Sequence, residues 1–175
     1  EAKFPDPLED CYAATVDIVK RAGEFGIDPA RVAIGGDSAG GNFAAAIAQM
    51  AKQRGGPDIR CQLLSYPNVD LGADTDSIRL FSKGYLLNSM PFYIASYTRS
   101  PADIADPLCS PLRAGDLAGL PPAYVLTCGF DPLRDEGQAY ARKLAQAGVQ
   151  VDHHQHPELF HGFWNTESLI GASDR

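Results

Sequence analysis

The sequence predicts an α/β fold built on a parallel sheet, and three observations carry that prediction. Apolar residues run consecutively in Val32-Ala33-Ile34, Leu63-Leu64 and Tyr124-Val125-Leu126, as they do in strands covered on both faces. Stretches of helical periodicity lie between these runs, which calls for crossover connections and parallel pairing. Breaks rich in glycine and proline punctuate the alternation, at Gly26, Asp28-Pro29, Gly55-Gly56-Pro57 and Gly148.

The elements follow in order. Asp6-Pro7-Leu8-Glu9 reads as a helix start, with Asp6 as cap, Pro7 at the first helical position and Glu9 completing a capping box. Leu8, Cys11, Tyr12, Val16 and Val19 recur at helical spacing to about residue 24, and Gly26 stops the helix. A strand is expected over 31–36 and an alanine-rich helix over 40–53. Further strands are expected over 60–66, 123–128 and 149–155. A helix over 132–147, closed by Gly148, separates the last two. Residues 68–122 break the alternation. They hold six of the 13 prolines and a short aromatic helix near 89–97. An insertion of that length between core strands is more often functional than idle, and 71–106 is read as part of a cap over the strand ends.

A length of 175 residues, 45% hydrophobic and 21% charged, suits one domain spanning 1–175. The net charge of −7 comes with no basic run, which argues against nucleic acid or an anionic membrane surface as partner. No apolar segment is long enough to span a bilayer, and no signal-peptide pattern opens the chain at Glu1. An excised region of a longer protein is expected, and a homo-oligomer stays open. Cys11, Cys61, Cys109 and Cys128 are widely spaced, as reduced thiols of a cytoplasmic protein would be, with Cys61 and Cys128 in buried strands.

Residues 36–40 read Gly36-Asp37-Ser38-Ala39-Gly40, between the first strand and the helix after it. G-x-S-x-G in that context is a nucleophile elbow, a tight turn that lifts the serine hydroxyl above the sheet. The helix that follows presents its first N–H groups, Ala39 foremost, to a developing oxyanion. A serine nucleophile needs a base, and the base needs an orienting acid. Asp131 follows the third strand and His161 the fourth, in the chain order Ser, Asp, His. Catalytic groups collect at the carboxyl ends of parallel strands, where all three fall. Each also has a plainer reading: Ser38 as a turn residue, Asp131 as a helix cap, His161 as a hydrogen-bonded loop residue. One mechanism accounts for all three placements together. Asp135 and Glu136 are expected inside the following helix, pointing away from the strand end.

Other patterns carry less. His154 and His156 share a strand face with Asp152, a set that could hold a metal, but a polar edge strand explains it and no metal site is expected. No phosphate-binding glycine motif fits the elbow. Tyr85, Leu86, Leu87, Met90, Phe92, Tyr93 and Tyr97, with Phe160, Phe163 and Trp164 near the base, suggest an apolar slot. Tyr85, Leu86, Leu87 and Phe163 are taken as substrate-binding.

The segments Gly36–Asn42, Asp131–Gly137 and Phe160-His161-Gly162-Phe163, with Phe4–Asp10, Ser110-Pro111-Leu112 and Leu120-Pro121-Pro122, resemble the hormone-sensitive-lipase-like family of α/β-hydrolase esterases. The resemblance covers nearly the whole chain. It implies an α/β-hydrolase fold and a carboxylic ester hydrolase needing no cofactor, acting on small-molecule esters of short- to medium-chain acids. It also implies Ser38 as nucleophile, Asp131 as orienting acid and His161 as base. A binding protein that keeps the pocket without turnover, or a triad amidase or acyltransferase, are the alternatives. The family's upstream HGGG-type motif, which completes the oxyanion hole, has no counterpart here. The first strands of the family's sheet and part of its cap are therefore expected to be absent. These residues alone are expected to be weakly active or inactive, and a longer parent active.

Overall fold

The computed structural model describes residues 2–84 and 87–166. Four parallel strands, β1 (Ile34–Asp37), β2 (Gln62–Ser65), β3 (Ala123–Phe130) and β4 (Val151–Phe160), pair in the order β1-β2-β3-β4. Helices α1 (Asp6–Lys20), α2 (Ala39–Arg54), α3 (Asp76–Phe81), α4 (Met90–Tyr97) and α5 (Arg134–Gln146) accompany them. The predicted α/β architecture is therefore present, with element ends shifted by a few residues.

Packing of the helices follows from side-chain size. In α2 every residue from Ala44 to Ala51 is buried, because its alanines let it sit between sheet and α1. Ala44 and Ala45 of α2, with Tyr140, Ala141 and Leu144 of α5, meet Leu64, Ala123 and Val125 on one face of the sheet. On its outer side α2 joins Phe4, Leu8 and Cys109 through Ala46, Ile47 and Met50. The end of α5 is a Schellman motif: Gly148 takes φ 82°, its N–H donates to the Ala145 carbonyl, and Val149 N–H donates to that of Leu144.

Several expectations need correction. Coverage of the sheet on both faces does not hold at β2: Leu63 is 47% exposed among the described residues, because α2 and α5 both lie on the Leu64 side. The capping box at α1 does not form. Asp6 is already helical and accepts from Arg99 Nη2 at 2.7 Å, while Glu9 pairs with Arg54. Residues 22–25 tighten into a 3₁₀ turn before Gly26. Residues 29–31 form another, capped by Asp28, so β1 starts three residues later than expected. Cys61 is half-buried just before β2.

The largest difference is in β4, which runs five residues past its expected end. Pro157 lies within it, which β4 accommodates as an edge strand among the described residues, because edges and bulges tolerate proline. Register slips between Cys128, opposite His156, and Phe130, opposite Phe160. Gly129 permits the slip, because a Cβ there would collide with the Pro157 backbone. As a result β3 and β4 end level, and Asp131 and His161 leave the sheet side by side. On β4, His154 bonds to Asp152 at 2.8 Å and stacks on Tyr124, while His153 Nε2 lies 3.0 Å from Thr127 Oγ1.

Within 71–106 lie α3, α4 and a 3₁₀ segment over Pro101–Ala105. No described helix is long and apolar enough to cross a membrane.

The covered face should be separable from the open one by urea denaturation. Leu144→Ala, at a fully buried position, is expected to cost about 3 kcal/mol. Leu63→Ala is expected to change stability by less than about 0.5 kcal/mol.

Candidate active site

Ser38, Asp131 and His161 are each the first residue after a strand: β1, β3 and β4 respectively. The parallel sheet sets those three ends on one edge, and the chain between them folds so that the side chains meet. His161 Nδ1 lies 2.9 Å from Asp131 Oδ2, and His161 Nε2 lies 2.9 Å from Ser38 Oγ. A carboxylate oxygen only accepts, so Nδ1 carries the proton toward Asp131. Nε2 is left to accept from the serine hydroxyl.

Ser38 pays for its place with strain. Its backbone sits at φ 55°, ψ −116°, a region L residues rarely enter. Three hydrogen bonds hold it there. Its N–H donates to the Ser65 carbonyl at 2.9 Å, and its own carbonyl accepts from the N–H groups of Asn42 and Asn68, both at 3.1 Å. Glycine makes the turn geometrically available: a Cβ on Gly36 would overlap the Gly40 backbone, and one on Gly41 would stand 2.8 Å from Pro67 Cβ. Ala39 opens α2 directly after the serine, so its N–H is among those with no partner inside the helix. The helix dipole favours negative charge at the same point.

Asp131 and His161 are buried and Ser38 is only partly so. Asp131 is 1% exposed and His161 8%, while Ser38 is half-buried. Asp131 does not cap α5 through a distant amide; its Oδ1 accepts from Leu133 N–H at 2.8 Å, leaving Oδ2 for the imidazole. Tyr66, another residue with positive φ (36°), lays its ring edge-on to His161 with centroids 4.8 Å apart. Burial, reinforced by Asp37, pushes the Tyr66 hydroxyl well above its ordinary range, so it stays protonated and its O–H points to Asp37 Oδ2 at 3.4 Å. Burial likewise raises the Cys128 thiol, with Asp131 adding to the effect, so that sulfur stays protonated.

One cavity borders Ala39, next to Ser38 in the chain, and a second borders His161. The first, of about 770 Å³, is lined by Ala39, Asn42, Phe43 and Asn68, with Phe92, Tyr93 and Tyr97 from α4 and its end. The other, about 760 Å³, is lined by Leu87, Asn88, Phe130, Pro132, Phe160 and His161. Leu87 lies at the wall of this second cavity. Phe163 does not: it is 4% exposed and packs with Tyr66, Leu126, Cys128 and Leu159. Tyr85 and Leu86 lie outside the described residues.

Sequence reasoning passed over Tyr66, Asn42 and Asn68, and it misplaced the Glu136 side chain. Glu136, expected to point away from the strand end, instead reaches the segment that follows β2, and it is 1% exposed. Its Oε1 accepts from Asn68 Nδ2 (3.1 Å), Val69 N–H (2.7 Å) and Asp70 N–H (3.1 Å). The signal available in the sequence was Glu136 beside Gly137 on the apolar face of α5. Asp135 turns toward α3, accepting from Ser77 N–H at 2.8 Å.

A parallel sheet that presents a serine at a glycine-flanked strand–helix turn, with histidine and aspartate at neighbouring strand ends, is the architecture of an α/β hydrolase. Residues 1–165 match the profile of the alpha/beta hydrolase fold family, and the chain belongs to that family. It is 46% identical to the carboxylic ester hydrolase LipN of Mycobacterium tuberculosis, over 99% of this chain and 48% of that protein. It is 37% identical to an ethyl acetate hydrolase of Pseudomonas putida, over 98% of this chain and 55% of the relative. Among solved structures, a hyperthermophilic esterase of the archaeon Pyrobaculum calidifontis superposes with a TM-score of 0.93 at 37% identity, covering 98% of this chain and 58% of that one. The chain therefore spans about half the length of the curated relatives it matches.

The turn gives a sharp comparison of two neighbouring glycines. Gly36→Ala is expected to cost about 2–3 kcal/mol in a urea titration, because backbone and not a flexible side chain stands in the way. Gly40→Ala, whose Cβ meets nothing within 4 Å, is expected to stay within about 0.5 kcal/mol of the parent.

Proposed function

We propose that the protein carrying this chain is a carboxylic ester hydrolase that works through an acyl-enzyme on Ser38. The observation that carries the reading is the unbroken line Ser38 Oγ, His161 Nε2, His161 Nδ1, Asp131 Oδ2, with both contacts at 2.9 Å. Esterase names among relatives at 37–46% identity support the same chemistry.

His161 takes the hydroxyl proton as Ser38 Oγ attacks the ester carbonyl carbon. Asp131 holds the ring in the tautomer that leaves Nε2 free to accept, and stabilises the imidazolium that forms. The carbonyl oxygen gathers negative charge against the Ala39 N–H at the start of α2. His161 then hands its proton to the departing alkoxide, and water, deprotonated by the same imidazole, releases the acid. Protein groups supply every step, so the reading calls for no cofactor. The alcohol must leave within reach of Nε2, which puts it in the cavity that His161 lines. The acyl group then falls to the Ala39 side, against Phe92, Tyr93 and Tyr97. In this reading 71–106 forms part of a cap, and short- to medium-chain esters fit the apolar walls. The second oxyanion donor would come from an HGG-type stretch, which this chain does not contain.

Ser38→Ala is expected to lower hydrolysis of an aryl acetate by about 10⁴-fold or more and to abolish labelling by a fluorophosphonate. Hydrolysis at the parent rate in that variant would refute the assignment.

A further inference from the structure

Glu136 is a buried acid that the hydrolytic steps do not use. It sits on the first turn of α5, five residues after Asp131, and its side chain crosses to the segment that follows β2. One oxygen, Oε1, gathers three donors from three consecutive residues, Asn68, Val69 and Asp70. The other, Oε2, is buried without a hydrogen-bond partner among the described residues. A buried polar atom left that way is costly, so the placement of this carboxyl group calls for an explanation.

The bonds lead to the nucleophile. Asn68 N–H donates to the Ser38 carbonyl at 3.1 Å, and the Asn68 carbonyl accepts from Asn42 Nδ2 at 2.8 Å. Pro67, one residue earlier, is the wall against which Gly41 packs. The segment 66–70 therefore touches Ser38 by hydrogen bond, α2 by packing and His161 by the Tyr66 ring. Two things tie it to α5, the helix whose first turn follows Asp131: the packing of Val69 in the cluster that holds Tyr140 and Leu144, and the hydrogen bonds to the Glu136 carboxyl group.

We infer that Glu136 is a positioning residue for Ser38: it clamps the Asn68–Asp70 segment to α5 and, through Asn68 N–H, fixes the strained peptide that carries the nucleophile. The inference rests on the reading of Ser38 as nucleophile and adds to it a determinant of the geometry. Among the described residues Ser38, at φ 55°, makes three backbone hydrogen bonds, and Glu136 governs the one that comes from outside β2 and α2.

The charge state of Glu136 gives a separate handle. Burial raises its carboxyl to about 8, against the opposing pull of the Asp70 and Val69 amides. The charged groups facing it are Asp70, itself paired with Arg113, and Asp131, and both carboxylates push in the same direction as burial. The folded chain thus keeps a proton that the unfolded chain releases above pH 4.5. Stability from this group is full below pH 4.5 and is lost as pH rises through about 8.

The test uses the intact protein and a fluorophosphonate at saturating concentration, with the labelling rate of Ser38 expressed per folded molecule. Glu136→Ala is expected to slow labelling about 100-fold, the scale of a misplaced reacting group, and Glu136→Gln to recover most of that loss. Asn68→Ala, which cuts one of the three bonds and keeps every backbone donor, is expected to lie between them and carries the test if Glu136→Ala does not fold. The parent is expected to show an inflexion near pH 8 in both labelling rate and melting temperature, and Glu136→Gln to lack it. Variants that melt earlier but label at the parent rate per folded molecule would overturn the inference and leave the nucleophile assignment standing. A parent chain that is not labelled, or a Ser38→Ala chain that is labelled equally, would overturn the assignment and the inference with it.

Discussion

Everything at this site depends on how closely β1 and α2 approach one another. The turn between them is so tight that Gly36 and Gly40 touch backbone to backbone, and Gly41 meets Pro67 with no room for a Cβ. Within that closure Ser38 has one conformation, φ 55° and ψ −116°, and its hydroxyl stands clear of both elements. The strain is sustained by packing elsewhere: α2 is buried on the sheet side by Leu64 and on the outer side by Leu8 and Phe4. A helix with larger residues in place of Ala44 and Ala45 would be pushed away from the sheet, and the turn would open. The alanine run is therefore as much a part of the site as the glycines are.

The second constraint is where β3 and β4 end. Asp131 and His161 are 30 residues apart, and their 2.9 Å contact exists because the register slip at Gly129 and Pro157 levels the two strand ends. Without that slip the strand would deliver His161 out of step with Asp131. Tyr66 then closes the ring from the side, and Leu133 N–H occupies the second oxygen of Asp131. With every other contact satisfied, the imidazole has one acceptor left, directed at Ser38.

Local chemistry made much of this legible in the sequence. The elbow motif, the parallel alternation and the order Ser, Asp, His at three strand ends required only neighbouring residues, and Gly148 gave away the end of α5. Features that depend on distant partners were not legible. Pro157 can lie inside β4 because that strand is an edge among the described residues, and Asp6 looks like a cap until Arg99 arrives from 93 residues away. Leu63 reads as core because its neighbours do, whereas α2 and α5, the described helices that pack on the sheet, lie on the opposite face. Phe163 reads as a substrate contact because it follows His161, yet a β-sheet end and Tyr66 enclose it. Glu136 is the clearest case. A charged residue on a helix suggests solvent, and only the three donors of Asn68–Asp70, contributed by a segment 66–68 residues earlier, explain its burial.

The most direct measurement of the central claim is a proton NMR spectrum recorded for exchangeable imidazole protons. A His161 Nδ1–H shared with the Asp131 carboxylate in a buried site gives a resonance far downfield of the amide envelope, in slow exchange with water. The account predicts that this signal is present in the parent, persists in Ser38→Ala and vanishes in Asp131→Ala. A parent spectrum without it, or an Asp131→Ala spectrum that retains it, would contradict the hydrogen-bonded line on which the reading stands.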